Sequence, residues 1–305
     1  VYAQVPRSSG STSALVNAAN TDNKGLELEF KGTIVKSRTT TWNVGINYTH
    51  VDSKVISING DQQQLAINPN NNANSYAVVG QPYPVIESRD WVKDPKNGKV
   101  IVDPVTGDPS IDPNLKVLGN AAPTDILGIT TSVTWKDFTF VATADYRGGY
   151  KIFNSVGEYM DFTGITTTTA ATGRQRFVFP NSEFSTDGGK TYVSNTNVTV
   201  DDANFNFYPG QYERVGANYV VSAAAWKLRE VAISYNIPRK VIAPTKIVQS
   251  AVVTLSGRNL VMLRPKTNVW TDPEFNDGTG NDFGRTSTSQ APPTRIYSAT
   301  LTLTF

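Results

Sequence analysis

Apolar and polar residues alternate with a period of two over several stretches of the chain. From Leu26, the residues Leu26, Leu28 and Phe30 fall on one face and Glu27, Glu29 and Lys31 on the other, with a continuation through Gly32 and Ile34. That is the signature of a strand with one apolar and one charged side. After Lys36 to Thr40 the alternation returns, with Trp42, Val44, Ile46 and Tyr48 set against Asn43, Gly45, Asn47 and Thr49; the two stretches predict a hairpin. A second hairpin is predicted where Ile129, Thr131, Val133 and Trp135 lead through Lys136-Asp137 into Phe138, Phe140, Ala142, Ala144 and Tyr146. A third uses Leu228, Val231, Ile233, Tyr235 and Ile237, a turn at Pro238, and then Ala251, Val253 and Leu255. The one-residue slip between Leu228 and Val231 predicts a β-bulge at Arg229-Glu230. A last strand alternates Tyr297, Ala299, Leu301, Leu303 and Phe305 with Ser298, Thr300, Thr302 and Thr304.

These make about seven strands, each close to the roughly 9 to 11 residues that a tilted strand needs to cross a bilayer. Their connections alternate in length. Those at Lys36 to Thr40, Lys136-Asp137 and Pro238 to Lys246 are short, whereas Asn59 to Thr124, Ser155 to Ala225 and Lys266 to Pro293 are long. Strict alternation of short turns and long loops is the pattern of an antiparallel transmembrane β-barrel with long extracellular loops. Trp42, Trp135, Phe138, Tyr235 and Phe305 cluster toward the short-turn side and Tyr48, Tyr146 and Trp226 toward the long-loop side, as two girdles of rings at the membrane boundaries would. A soluble β-sandwich also alternates, but it spaces its turns closely and does not accommodate such long connections. Seven strands leave two unpaired edges, which a bilayer does not tolerate. Residues 1–305 are therefore expected to be the C-terminal part of a larger barrel, closed by further strands upstream.

Composition is compatible with this expectation. The apolar share is 39% and the mean hydropathy is −0.30, as expected when strands face lipid on one side and water on the other. No run approaches the roughly 18 apolar residues of a spanning helix. A formal charge of +2 with scattered Lys and Arg gives no nucleic-acid surface. There is no cysteine and one histidine, His50, so thiolate metal sites and cysteine nucleophiles are excluded. Val1-Tyr2-Ala3-Gln4 has neither the basic nor the apolar region of a signal peptide.

Several segments, in order, resemble the SusC-like TonB-dependent outer-membrane transporters. They are Val16-Asn17-Ala18 with Asp22-Asn23-Lys24-Gly25-Leu26-Glu27-Leu28; Leu118-Gly119-Asn120-Ala121-Ala122-Pro123; Asp145-Tyr146-Arg147-Gly148-Gly149; Trp226-Lys227-Leu228-Arg229-Glu230-Val231; Ser256-Gly257-Arg258-Asn259-Leu260; Asp272-Pro273-Glu274; and Thr294-Arg295 through Leu303-Thr304-Phe305. Ala18 stands where the family commonly has glycine, and Ala224-Ala225-Trp226-Lys227-Leu228 departs from its more regular pattern. The resemblance implies an importer in the outer membrane of a Gram-negative cell, with no catalysis and no cofactor. Its plug domain and TonB-engaging segment would precede this chain, and a SusD-like surface lipoprotein would close over its mouth. The cargo would be an oligosaccharide or a peptide. The resemblance also implies that the last strand, through Tyr297, Leu301, Leu303 and Phe305, is read as an assembly signal. A siderophore or vitamin receptor barrel and a non-transport adhesion β-protein are the alternatives.

Trp91, Tyr150, Tyr208, Tyr212 and Trp270, with Tyr159, Phe205 and Phe207, are long-loop rings that could stack on cargo or on the lipoprotein. Lumen-facing Glu27, Glu29, Lys31, Asp145 and Arg147 are expected to solvate an inner wall or pair with a plug. His50 is read as a lumen or rim residue, since it has no His or Cys partner for a metal. Asp272 to Asp282 is acidic, but its glycine falls at the wrong position for an EF-hand and no glutamate closes it. It reads as a polar rim loop. Asp94 to Lys99 and Asp103 to Asp108 combine Pro and Gly as turns do, and predict a hairpin inside the first long loop.

Overall fold

The alternating stretches pair into one antiparallel sheet. The computed structural model describes the chain apart from residues 1, 5–7, 9, 11–12, 16–18, 60–61, 68–71, 277–282, 290 and 292. The Val16-Asn17-Ala18 motif and the acidic residues Asp277 and Asp282 lie outside the described residues. The sheet contains β1 (Ala19–Lys36), β2 (Thr40–Ile58), β3 (Asp125–Trp135), β4 (Phe138–Gly148), β5 (Ala225–Asn236), β6 (Ser250–Leu263) and β7 (Ile296–Thr304). Each strand pairs with its neighbours in sequence, so the order is an uncrossed meander, and the fold is all-β and antiparallel.

Register fixes the two faces. Leu28, Tyr48, Leu127, Tyr146, Trp226 and Leu263 form one cross-strand row, and Phe30, Ile46, Ile129, Ala144, Leu228 and Val261 the next row on the same face. Between them, Glu29, Asn47, Gly128, Asp145, Lys227 and Met262 occupy the opposite face. Side chains that would normally be buried stand open on the apolar face: Leu28 is 55% exposed, Phe30 54%, Leu255 59% and Leu301 60%. Tyr297, Leu303 and Phe305 are exposed as well. Rings gather at both ends of this face. Trp135 stacks on Phe138 at 6.4 Å and Phe138 meets Tyr235 at 4.6 Å beside the short turns, while Tyr146 and Trp226 pair at 5.2 Å at the other end.

The bulge falls where the slip in the pattern places it. Both ladders of β5 jump from Leu228 to Glu230, leaving Arg229 as the extra residue. Two features differ from expectation. Strands β1 and β2 run 18 and 19 residues, because their far ends leave the sheet proper and Val55 and Ile58 bury against Ala77. The connection after β5 is helical, with Arg239–Ile242 and Ala243–Thr245 wound into short turns after Pro238, whose ring presets a helix-entry φ.

The long connections, L1 (59–124), L2 (149–224) and L3 (264–295), build a cap at one end of the sheet. L1 folds into a small sheet of Gln64–Ala66, Ala73–Val78, Val85–Ser88 and Lys116–Asn120. Its predicted hairpin is two successive turns, closed by Asp94 N to Lys99 O and Asp103 N to Asp108 O at 2.9 Å each. L2 carries α1 (Ser155–Phe162), whose first turn is capped when the Asn154 side chain accepts from Gly157 N at 3.1 Å. L1 and L2 join through a parallel pairing of Val100 and Ile101 with Ser182 and Glu183. They also share a core in which Trp91, Val100 and Val102 meet Phe179, Phe207 and Val215.

L3 closes the cap by bracketing Phe153, whose N donates to Gly284 O at 2.6 Å and whose O accepts from Thr286 N at 3.0 Å. Gly284 has φ +100°, and a Cβ there would stand 2.7 Å from Ala121 Cβ. Gly284→Ala is therefore expected to destabilise the cap by about 1–3 kcal/mol through a backbone conformation that alanine resists. Hydrogen exchange should rise at residues 150–155 and 283–287 and stay unchanged in β3 and β4; an unchanged cap would show that the space can relax.

Candidate functional site

Where the cap meets the polar face of the sheet, charges of both signs converge. Alternation along β4 brings Asp145 and Arg147 to the polar face, and Lys227 lies beside Asp145 in the register of β5. The bulge then lets Arg229 and Glu230 both reach that face, while Leu228 and Val231 stay in apolar rows. L3 drops Asp272-Pro273-Glu274 onto these cations. Lys227 Nζ donates to both carboxylate oxygens of Asp272 at 2.5 and 2.6 Å and to Glu274 Oε2 at 2.6 Å. Arg229 Nη1 donates to Glu274 Oε2 at 2.7 Å and Nη2 to Asp145 Oδ2 at 2.8 Å. Further bonds run from Arg229 Nε to Asp145 and from Nη2 to Glu274.

The clasp is dry at its centre, the Lys227 and Asp272 side chains being 9% and 5% exposed. Burial pushes the Glu274 carboxyl up, but the hydrogen bonds from Arg229 and Lys227 outweigh it and hold the group at about 2. This corrects the reading of Asp272 and Glu274 as an open polar rim. Their charges are neutralised by cations 45 or more residues earlier in sequence, and no group of three metal-ligating side chains occurs among the described residues.

Arg147 lies at the edge of the clasp and differs from its neighbours. Its Nε is 3.3 Å from Glu274 Oε1 and 3.7 Å from Asp145 Oδ2 and makes a hydrogen bond to neither. It lines two hollows at once. One is a cavity of about 190 Å³ in the cap, walled by Pro123, Tyr150, Ile152, Pro273 and Phe283. The other is an open hollow of about 500 Å³ on the polar face, bordered by Asn47, Thr130, Thr143, Asp145 and Arg229. Arg147 and Glu274 belong to both.

The loop rings expected to meet cargo separate into two groups. Trp91, Phe207 and Tyr208 are buried in the L1–L2 core, with Tyr212 packed against it. Trp91 Nε1 donates to Asn218 Oδ1 at 3.0 Å, and its ring lies edge-on to Phe179 at 5.6 Å. Burial lifts the Tyr212 hydroxyl to about 12. Tyr150 is 9% exposed in the cavity wall, its hydroxyl likewise raised to about 12 by burial. Trp270, Tyr159 and Phe205 are exposed, Phe205 at 80%. Glu27, Glu29 and Lys31 share the polar face with Asp145 and Arg147. His50, expected in the lumen or at the rim, is at the rim and off the polar face. It sits in the row of Leu26 and Asp125 on the apolar face, at the cap end, with Nδ1 2.8 Å from Asp125 Oδ1. The parity from Trp42 to Tyr48 extends to His50 and gives this placement.

Two contacts lay beyond sequence reasoning because each joins distant segments. One is the clasp itself. The other links L1 to L2, where Asn72 Nδ2 donates to Glu158 Oε1 at 2.6 Å and to Glu213 O at 3.0 Å. Burial raises the Glu158 carboxyl to about 7, and the nearby Glu213 charge adds to the rise.

Solved structures similar to this chain include chains of the RagAB peptide transporter and of the RagAB peptide importer in its closed-closed and open-open states. Each superposes with a TM-score of 0.68 at 16%, 18% and 17% sequence identity respectively. They align over 99%, 99% and 100% of this chain but 31% of their own length, so the chain spans about a third of those proteins. At such identity the likeness is one of fold. No family model matches the sequence, and no curated protein matches it.

Two outcomes follow from this geometry. Lys227→Met leaves Asp272 buried without its cation and is expected to cost about 3–5 kcal/mol, whereas Lys227→Met with Asp272→Leu should recover most of that loss. Proteolysis of L3 reads both, and a single variant as resistant as the native chain would show that the clasp does not hold the loop. For Glu158, the folded value of about 7 lies above the ordinary 4.5. Its contribution is complete below pH 4.5 and lost as pH rises through 7. Glu158→Gln keeps an acceptor for Asn72 without the charge, so its cap should outlast the native cap at pH 8 and converge with it toward pH 4.5.

Proposed function

We propose that this chain is the C-terminal part of an outer-membrane barrel that imports a large nutrient, peptide rather than oligosaccharide, without catalysing any reaction. The single observation that carries the reading is the pair of faces of the sheet. An apolar face with ring-lined ends and open leucines suits lipid, and a polar face below a folded cap suits an aqueous lumen. Peptide is favoured because the three similar structures are peptide transporter or importer chains. In this reading further strands upstream close the barrel, and an upstream plug couples it to TonB. A SusD-like lipoprotein sits over the cap, where exposed Trp270, Tyr159 and Phe205 are available to it or to cargo. Tyr150 in the cavity wall would touch cargo as it passes. The outward strip of Tyr297, Leu301, Leu303 and Phe305 would serve as the assembly signal.

Uptake of labelled peptides by cells carrying the full-length protein tests the function. Uptake should fall to background when TonB or the lipoprotein is deleted, and persistence of uptake without either would sink the mechanism. The membrane placement has its own test. Leu301→Arg, on the apolar face, should cost about 2–4 kcal/mol near the bilayer midplane and block insertion, while Thr302→Arg on the polar face is tolerated. Equal assembly of both variants would show that the apolar face does not meet lipid. Tags at Val105, which is 83% exposed in L1, and at Gly189 in L2 should be reached on intact cells, and a tag at Lys136 should not.

A further inference from the structure

We infer that Arg147 is the binding point for a carboxylate of the transported peptide, at the boundary between the cap cavity and the polar hollow of the sheet. The inference rests on the import reading and names what part of the cargo this site recognises. Three observations carry it. Three cations meet three carboxylates at the cap base, and two of the cations, Lys227 and Arg229, make the side-chain hydrogen bonds to Asp145, Asp272 and Glu274. Arg147 Nε stands 3.3 Å from Glu274 Oε1 and 3.7 Å from Asp145 Oδ2 and makes a hydrogen bond to neither. An ion pair so loosely made leaves the planar guanidinium fork to an incoming carboxylate, with which it pairs through two parallel bonds.

The second observation is position. Arg147 and Glu274 are the charged side chains common to the cavity and the hollow, so this pair stands on the boundary between the two. The third is the character of the cavity. Its walls are largely apolar, and its charged lining is Arg147 and Lys151 against Glu274. About 190 Å³ is below the roughly 300–1,000 Å³ of whole small-molecule sites. It suits one residue of a longer chain, with its carboxylate held at the cationic edge. Glu274 Oε1, at 3.3 Å from Arg147 Nε, is the internal carboxylate that such a group displaces. Glu274 keeps its bonds from Lys227 and Arg229 when this happens, so cargo can bind at Arg147 without opening the clasp.

A peptide carries carboxylates in two places, at its C-terminus and on aspartate or glutamate side chains. The test uses the purified full-length transporter with its lipoprotein and three mass-tagged random decapeptide pools. One pool has free C-termini, one has amidated C-termini, and one is amidated and lacks Asp and Glu. The native protein should retain the carboxylate-bearing peptides about tenfold or more over the third pool, the worth of one charge-assisted hydrogen-bonded pair. Preference for the first pool over the second assigns the C-terminus, and equal retention of those two assigns the side chains. Arg147→Gln, with assembly checked by heat-modifiable mobility, should retain all three pools alike. Equal retention of all pools by the native protein, or an unchanged preference in Arg147→Gln, overturns the inference while leaving peptide import standing. Failure of the native protein to retain any pool overturns the inference together with the peptide reading.

Discussion

The apolar face of the sheet is the constraint on which the rest of the structure depends. A sheet in water buries one face against something, yet here Leu28, Phe30, Leu255 and Leu301 are more than half exposed while the polar face carries Glu29, Lys31, Asp145 and Lys227. The sequence places its apolar side chains on the open face and its charges on the face below the cap, the reverse of a water-soluble layer. Short turns follow at one end, because a two-residue connection such as Lys136-Asp137, with Lys136 at φ 51°, links neighbouring antiparallel strands with no spare chain. All folding that needs a core of the ordinary kind is displaced to the other end.

That end holds together by two kinds of interaction. L1 and L2 share an aromatic core and a short parallel ladder, so their union depends on area removed from water. L3 is tied by backbone bonds at Phe153 and by ion pairs at Lys227 and Arg229. The bulge at Arg229 joins the two systems. One extra residue in β5 delivers the guanidinium to Asp145 and Glu274 without turning Ile233 or Tyr235 off the apolar rows.

Sequence shows most of the sheet and little of the cap, for a physical reason. A half-buried strand writes its environment into every second residue, so the strand positions, the facing of Asp145 and Arg147 and the bulge at Arg229-Glu230 can be read from alternation alone. The cap has no such period. Trp91 and Tyr208 look like binding rings in sequence, because a ring in a long loop gives no sign of whether another loop covers it. In the structure Phe179 and Phe207 cover Trp91. Asp272 and Glu274 look like an exposed acidic loop for the same reason, their cations lying on β5. His50 is the instructive exception, since the parity that assigns Tyr48 also assigns it, and only the habit of placing polar residues inward argues otherwise.

Charge at the base of the cap has a consequence for stability that differs from that of the aromatic core. Desolvating Lys227 and Asp272 offsets much of their mutual attraction, so a buried pair contributes little net stability even though removing one partner costs several kcal/mol. Its value is positional: Glu274 must be where both cations can reach it, which fixes L3 over the polar hollow. Burial alone would raise the Glu274 carboxyl, yet it is held at about 2, so it remains ionised far below the pH of about 7 at which Glu158 takes up its proton. Acidification from pH 8 to 5 therefore relieves a buried charge between L1 and L2 and leaves the L3 clasp intact. The two joints of the cap respond to protons separately, because one is a carboxyl buried with an amide and the other a carboxylate buried with cations.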